Sequence, residues 1–81
     1  MKKLSFQEFK EYLASKGVED FKGYTLINNY GYTFKYKGVK YDLRHVLNVY
    51  GADVDWWDLT PKNDALAVLV ERIKMYDRKG S

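Results

Sequence analysis

Apolar residues change their spacing twice along this chain, and the changes divide it into elements. From Leu4 to Lys16 the apolar positions Phe6, Phe9 and Leu13 recur three and four residues apart with Tyr12 on their flank, the period of one helix face. Ser5 stands where its hydroxyl can accept from the Glu8 amide while the Glu8 carboxylate accepts from the Ser5 amide. Leu4 precedes this capping box and is placed to pack on Phe9. The pattern predicts a helix from Phe6 to Lys16, ended by Gly17 in the left-handed conformation, with Val18 and Phe21 continuing the core.

Between Tyr24 and Asp42 the period falls to two. Tyr24 to Ile27 reads as a strand, Asn28 to Gly31 as a turn, Tyr32 to Lys37 as a second strand and Val39 to Asp42 as a third. A two-residue turn at Lys37-Gly38 pairs Tyr36 with Val39, Phe34 with Tyr41 and Tyr32 with Leu43 on an apolar face. The other face then shows Thr33, Lys35, Lys37, Lys40 and Asp42, with Lys35 opposite Lys40. A four-residue turn would pair Lys35 with Asp42 and Tyr36 with Tyr41 and keep the same faces inside. The shorter turn is preferred because Gly38 falls where a positive φ is needed.

The helical period returns after Asp42, which can cap a short helix from Leu43 to Tyr50 with Leu43, Val46, Leu47 and Tyr50 inward and Gly51 as its stop. Ala52 to Asn63 reads as a loop. Thr60 and Pro61 can open the final helix, with Asn63 as a rival cap, and the helix continues to about Arg78. Leu66, Leu69, Val70, Ile73 and Tyr76 form its core stripe, and Val68 and Met75 widen the apolar arc until it needs cover on two sides. The predicted fold is α+β in a single domain spanning residues 1–81. A three-stranded antiparallel meander packs against an N-terminal helix, a short helix and a long C-terminal helix, in the order α-β-β-β-α-α.

Composition narrows the function without naming it. The chain has 81 residues, no cysteine, and eight tyrosines, four phenylalanines and two tryptophans, so an aromatic core must do without disulfide or thiolate-metal support. Two lysines near the amino terminus are followed by Ser5-Phe6-Gln7-Glu8 instead of an apolar run, which predicts neither a secretory leader nor a membrane span and points to the cytoplasm. The net charge of +3 is uneven: residues 1–45 carry nine Lys/Arg against five Asp/Glu, and residues 46–81 carry five against six.

Catalysis has little to work with, since His45 is the only histidine and no phosphate loop or nucleophile elbow is present. On the predicted short helix His45 faces solvent beside Arg44, and its spacing from the acids does not suggest a shared pocket. Asp53, Asp55 and Asp58 fail the calcium-loop template: Trp57 stands where an oxygen ligand belongs, Asp58 stands where the glycine belongs, and no glutamate closes the loop. No metal or cofactor is expected.

Two surfaces remain for a partner. Trp56 and Trp57 cannot both point into one small core from a non-helical backbone. One is expected inside and the other exposed, rimmed by Asp55 and Asp58, with Tyr30 as a further exposed contact for a larger protein. The alternative is a nucleic-acid surface in which Lys35, Lys37, Lys40 and Arg44 neutralise phosphates and Tyr24 stacks on bases. Lysines on an outer sheet face also serve solubility and discourage edge pairing. The favoured reading is a small non-enzymatic binding module, adaptor or inhibitor, monomeric or dimeric through its C-terminal helix. A short, cysteine-free, tyrosine- and lysine-rich chain also suits the phage accessory proteins that block host or defence proteins, an analogy of size and composition only.

Overall fold

The computed structural model describes residues 4–27, 29–46 and 56–80, with backbone only at 79 and 80. The elements in chain order are α1 (Phe6–Ser15), β1 (Val18–Thr25), β2 (Asn29–Tyr36), β3 (Val39–Val46), β4 (Trp56–Thr60), a 3-10 turn (Asp64–Leu66) and α2 (Ala67–Gly80). The four strands form one antiparallel sheet in the order β1-β2-β3-β4. The class is α+β as predicted, and the three-stranded meander carries a fourth strand.

Helix α1 forms as its local sequence dictates. The Glu8 amide donates to Ser5 Oγ at 3.1 Å and the Ser5 amide to Glu8 Oε1 at 2.9 Å. This pair of bonds, one to a carboxylate, lowers the Glu8 pKa through its bond to the Ser5 backbone first and the Ser5 side chain second. Gly17 follows the helix at φ +90°, where a side chain would be strained.

Strand β1 starts six residues earlier than the predicted Tyr24. Its alternation is broken by a bulge between Glu19 and Lys22, where Asp20 takes φ +54° and two residues oppose the single Phe34. Val18 and Phe21 therefore stand three apart yet both enter the core, so the strand lacks a clean period of two. The first hairpin is also tighter than predicted. Leu26 donates to the Asn29 carbonyl at 2.7 Å, and Tyr30 and Gly31 belong to β2 instead of the turn.

The second hairpin has the predicted register, with Tyr36 opposite Val39, Lys35 opposite Lys40, Phe34 opposite Tyr41 and Tyr32 opposite Leu43. Lys37 and Gly38 both take positive φ, +51° and +79°, as a type I′ turn requires. Beyond Asp42 the structure departs from the prediction. Leu43 to Val46 continue β3 instead of opening a helix, and Asp42 pairs with Thr60 instead of capping. Leu43 and Val46 fit a helical period, but Tyr41, Leu43 and His45 fit a period of two equally well, and pairing with β4 decides between them. The rest of that predicted helix, with Leu47, Tyr50 and Gly51, lies outside the described residues.

Trp56 to Thr60, predicted as loop, is β4. Because Thr60 is used in the ladder, the rival Asn63 caps the final helical segment. Its Oδ1 accepts from the Ala65 amide at 3.0 Å while its Nδ2 donates to the Tyr41 hydroxyl at 2.8 Å. The Thr60–Pro61 peptide bond is cis.

Both helices pack on one side of the sheet, here the inner face. The buried core comprises Phe9 and Leu13 of α1, Val18 and Phe21 of β1, Phe34, Tyr41 and Leu43 of β2 and β3, and Leu66 and Ile73 of the C-terminal segment. The Phe9 and Tyr76 rings stack with centroids 4.1 Å apart and tie α1 to α2. At the hairpin end Val39 stays exposed, so the inner face is not apolar cover throughout. On α2, Val68 and Met75 stand exposed, so the wide apolar arc is covered by the chain on one side only. Among the described residues no helix is long and apolar enough to cross a membrane.

Candidate functional site

Strand pairing assigns every sheet residue to a face. Among the described residues no helix covers the outer face, which is arranged in four rows across the strands. Glu19, Lys35 and Lys40 form the row nearest the second hairpin. Next come Lys22, Thr33, Asp42 and Thr60, and then Tyr24, Gly31, Arg44 and Asp58. The row at the opposite end holds Asn29, Val46 and Trp56, with Leu26 beside Asn29.

The third row is held by Tyr24. Gly31 has no side chain, so the tyrosine reaches across β2 and its hydroxyl donates to Asp42 Oδ1 on β3 at 2.8 Å. A Cβ at Gly31 would meet the Leu43 carbonyl oxygen and the Tyr24 hydroxyl. Arg44 Nη2 reaches Asp42 Oδ2 at 3.4 Å and completes a Tyr24–Asp42–Arg44 group. Burial, then the bond to Asp42, raises the Tyr24 pKa. Opposite Arg44 on β4, Asp58 makes no ion pair among the described residues.

The end row is apolar at three of its four positions and exposed at its two ends. Trp56 is 61% and Leu26 55% accessible, and Asn29 and Val46 lie between them partly covered. The strand alternation separates the tryptophans as expected: Trp56 faces out, and Trp57 faces in and packs against the core.

Several predicted site residues are elsewhere. Tyr30, expected as an exposed contact, is half-buried on the inner face, where its hydroxyl donates to Asp77 Oδ2 at 2.7 Å. Tyr32 donates to Asp77 Oδ1 at 2.7 Å, and burial followed by that bond raises the Tyr32 pKa well above its ordinary value of 10.0. Lys37 does not line up with Lys35 and Lys40, because its ammonium lies 5.4 Å from the ring of Tyr36, an inner-face residue. Asp53 and Asp55 lie outside the described residues.

His45, predicted on a helix facing solvent, is buried at 7% on the inner face of β3. Its ring is 4.5 Å from Trp57 and 4.8 Å from Tyr30. The fold also brings it to a cleft of ≈ 350 Å³ that Glu71 and Asp77 share with it, a gathering its spacing did not suggest. Both Asp77 oxygens are bonded by tyrosine hydroxyls, and Glu71 pairs with Lys74 at 3.3 Å. Among the described residues no three His, Asp or Glu side chains are grouped to hold a metal ion.

Sequence reasoning missed Leu26, Val46 and Lys22 as outer-face residues. For Val46 a signal was present, since Asp42, Arg44 and Val46 alternate with Tyr41, Leu43 and His45. The basic strand residues and the exposed tryptophan, read from sequence as two rival sites, occupy one surface. Compared with protein-family models, curated proteins and solved structures, the chain matches none.

Proposed function

We propose that this chain is a small non-enzymatic protein-binding module, an adaptor or inhibitor that occupies a surface of a larger protein with the outer face of its sheet. One observation carries the reading: Leu26 and Trp56 stand exposed, with the partly covered Val46 beside Trp56, at the end of a face whose other rows are close to charge-balanced. Large exposed aromatic and aliphatic side chains grouped beside polar rows are the usual make-up of a protein contact. The cations Lys22, Lys35, Lys40 and Arg44 stand against Glu19, Asp42 and Asp58, a balance of +1.

The same count weighs against the alternative. Lys35, Lys40 and Arg44 do share the face with Tyr24, the arrangement a single-stranded nucleic acid would use. Nucleic-acid affinity rises with the number of phosphates neutralised, and three carboxylates interleaved among four cations cancel most of that attraction. A mixed oligonucleotide titrated at two salt concentrations is expected to bind weakly with little salt dependence. Tight binding that collapses with salt would favour the nucleic-acid reading.

The direct test is affinity capture from the source cell by the wild-type chain and by Trp56→Ala, followed by mass spectrometry. A dominant protein recovered by the first and lost by the second supports the module. A set of proteins that is the same for both removes Trp56 from the argument.

A further inference from the structure

We propose that the partner enters as an extended segment that adds a fifth strand to the free edge of β4, a proposal that rests on the protein-binding reading above and specifies its geometry. The two edges of the sheet differ. Strand β1 is blunted by its bulge, by Glu19, Asp20 and Lys22 in close succession, and by α1 packed beside it. Strand β4 has no such bulge or run of charges: Trp56-Trp57-Asp58-Leu59-Thr60 contains no lysine and no proline, Asp58 is its one charged residue, and no described residue outside β3 pairs with it.

The phase of the ladder shows which backbone groups of β4 are not used in pairing with β3. A two-residue turn is closed by a pair that exchanges both hydrogen bonds, so Tyr36 and Val39 are such a pair, and bonded pairs then alternate along the strands. On β3 the even-numbered residues therefore turn their amides and carbonyls toward β4. The bond from Leu26 to the Asn29 carbonyl agrees with this phase at the other end of the sheet. Asp42, Arg44 and Val46 thus bond to Thr60, Asp58 and Trp56, and the N–H and C=O groups of Trp57 and Leu59 point away from the sheet.

Beside that edge lies a groove of ≈ 530 Å³ between β4 and α2, with Trp57, Leu59, Ala67 and Val70 on its walls. A strand bonded to Trp57 and Leu59 would place alternate side chains into this groove and the others over the outer face, level with Asp58. Charge selects the occupant. On the outer side the added strand's nearest neighbour is Asp58, which makes no ion pair among the described residues, so the fitting segment turns apolar residues toward the groove and sets a Lys or Arg opposite Asp58. A second copy of this chain fits poorly: the register that pairs all of β4 with itself sets Asp58 against Asp58 at a non-bonded position, where side chains approach most closely.

The probe is an octapeptide of alternating lysine and valine, titrated into the labelled full chain with amide exchange followed by NMR, and compared with its glutamate–valine counterpart. Slowed exchange is expected at Trp57 and Leu59 and not along β1. The glutamate peptide should bind at least tenfold more weakly, and Asp58→Lys should reverse that order. Leu59→Pro, which deletes an outward amide, should lose at least tenfold more affinity than Leu59→Ala, which keeps it. If the proline variant fails to fold, the exchange data on the wild type decide. Equal affinity for both peptides, no binding, protection along β1, or concentration-dependent protection without peptide would each overturn the proposal. Should a natural partner be lost by Trp56→Ala but kept by Leu59→Pro, the module reading stands and the added strand falls.

Discussion

The two faces of the sheet solve opposite problems with similar residues. On the inner face, aromatic rings are consumed by each other and by the helices: Phe21 stacks on Tyr32 at 5.0 Å and Phe34 on Tyr41 at 5.5 Å, while Tyr30 and Tyr32 spend their hydroxyls on Asp77. On the outer face, Tyr24 is tied down by Asp42, and Trp56 is left exposed at the edge. An aromatic residue is thus structural where a helix or a hydrogen bond holds it and available for contact where neither does, and chain position alone does not separate the two cases. The contrast predicts that substitutions will split into those that affect stability and those that affect binding, according to whether the side chain is held by its neighbours or left open.

The largest effect is expected at the centre of the inner face. Phe34→Ala should cost about 3–5 kcal/mol in chemical denaturation, enough to unfold much of a domain this small. A cost near that of a surface change would mean the inner face is not the core. Asp77→Ala should cost about 2–3 kcal/mol, because it leaves two partly buried tyrosine hydroxyls without their charged acceptor.

The same network sets the response to alkali. Tyr32 has its folded pKa raised above 10.0, so the stability it contributes is complete below pH 10.0 and is lost as pH rises through the folded value. Denaturation midpoints should therefore fall above pH 10.0, and Tyr32→Phe should make that fall shallower.

Gly31→Ala probes the outer face from beneath. Its methyl would meet the Leu43 carbonyl, backbone that cannot swing aside, and would displace the Tyr24 hydroxyl. A loss of about 1–3 kcal/mol is expected. The smallest effect on stability belongs to Trp56→Ala, within about 0.5 kcal/mol, and this variant should also leave the remaining fluorescence, from Trp57, comparatively resistant to acrylamide. A large loss of stability there would place Trp56 with the structural rings and dissolve the comparison.

What could be read from sequence was what neighbouring residues decide among themselves. The capping box of α1, the left-handed Gly17, the type I′ turn at Lys37-Gly38 and the register it imposes all depend on residues a few positions apart, and all are present. The separation of Trp56 from Trp57 was legible too, since two successive residues on a non-helical backbone cannot both enter one small core, although the strand that separates them was not. Elements set by distant pairing were not legible. Leu43 to Val46 suit a helix or a strand until β4 lies beside them, and the bulge at Asp20 conceals the start of β1 from any test of periodicity.

The functional surface divides along the same line. The sequence by itself determined that this chain would carry an aromatic core, a lysine-bearing strand pair and one outward indole, because side-chain chemistry and local period are properties of short segments. Only the tertiary structure decided that the indole and the lysines share one face, that carboxylates interleave with the cations, and that His45 lies inside. Each of these depends on which strands become neighbours, and that is settled by the burial of the inner face as a whole, beyond the reach of any short stretch of chain.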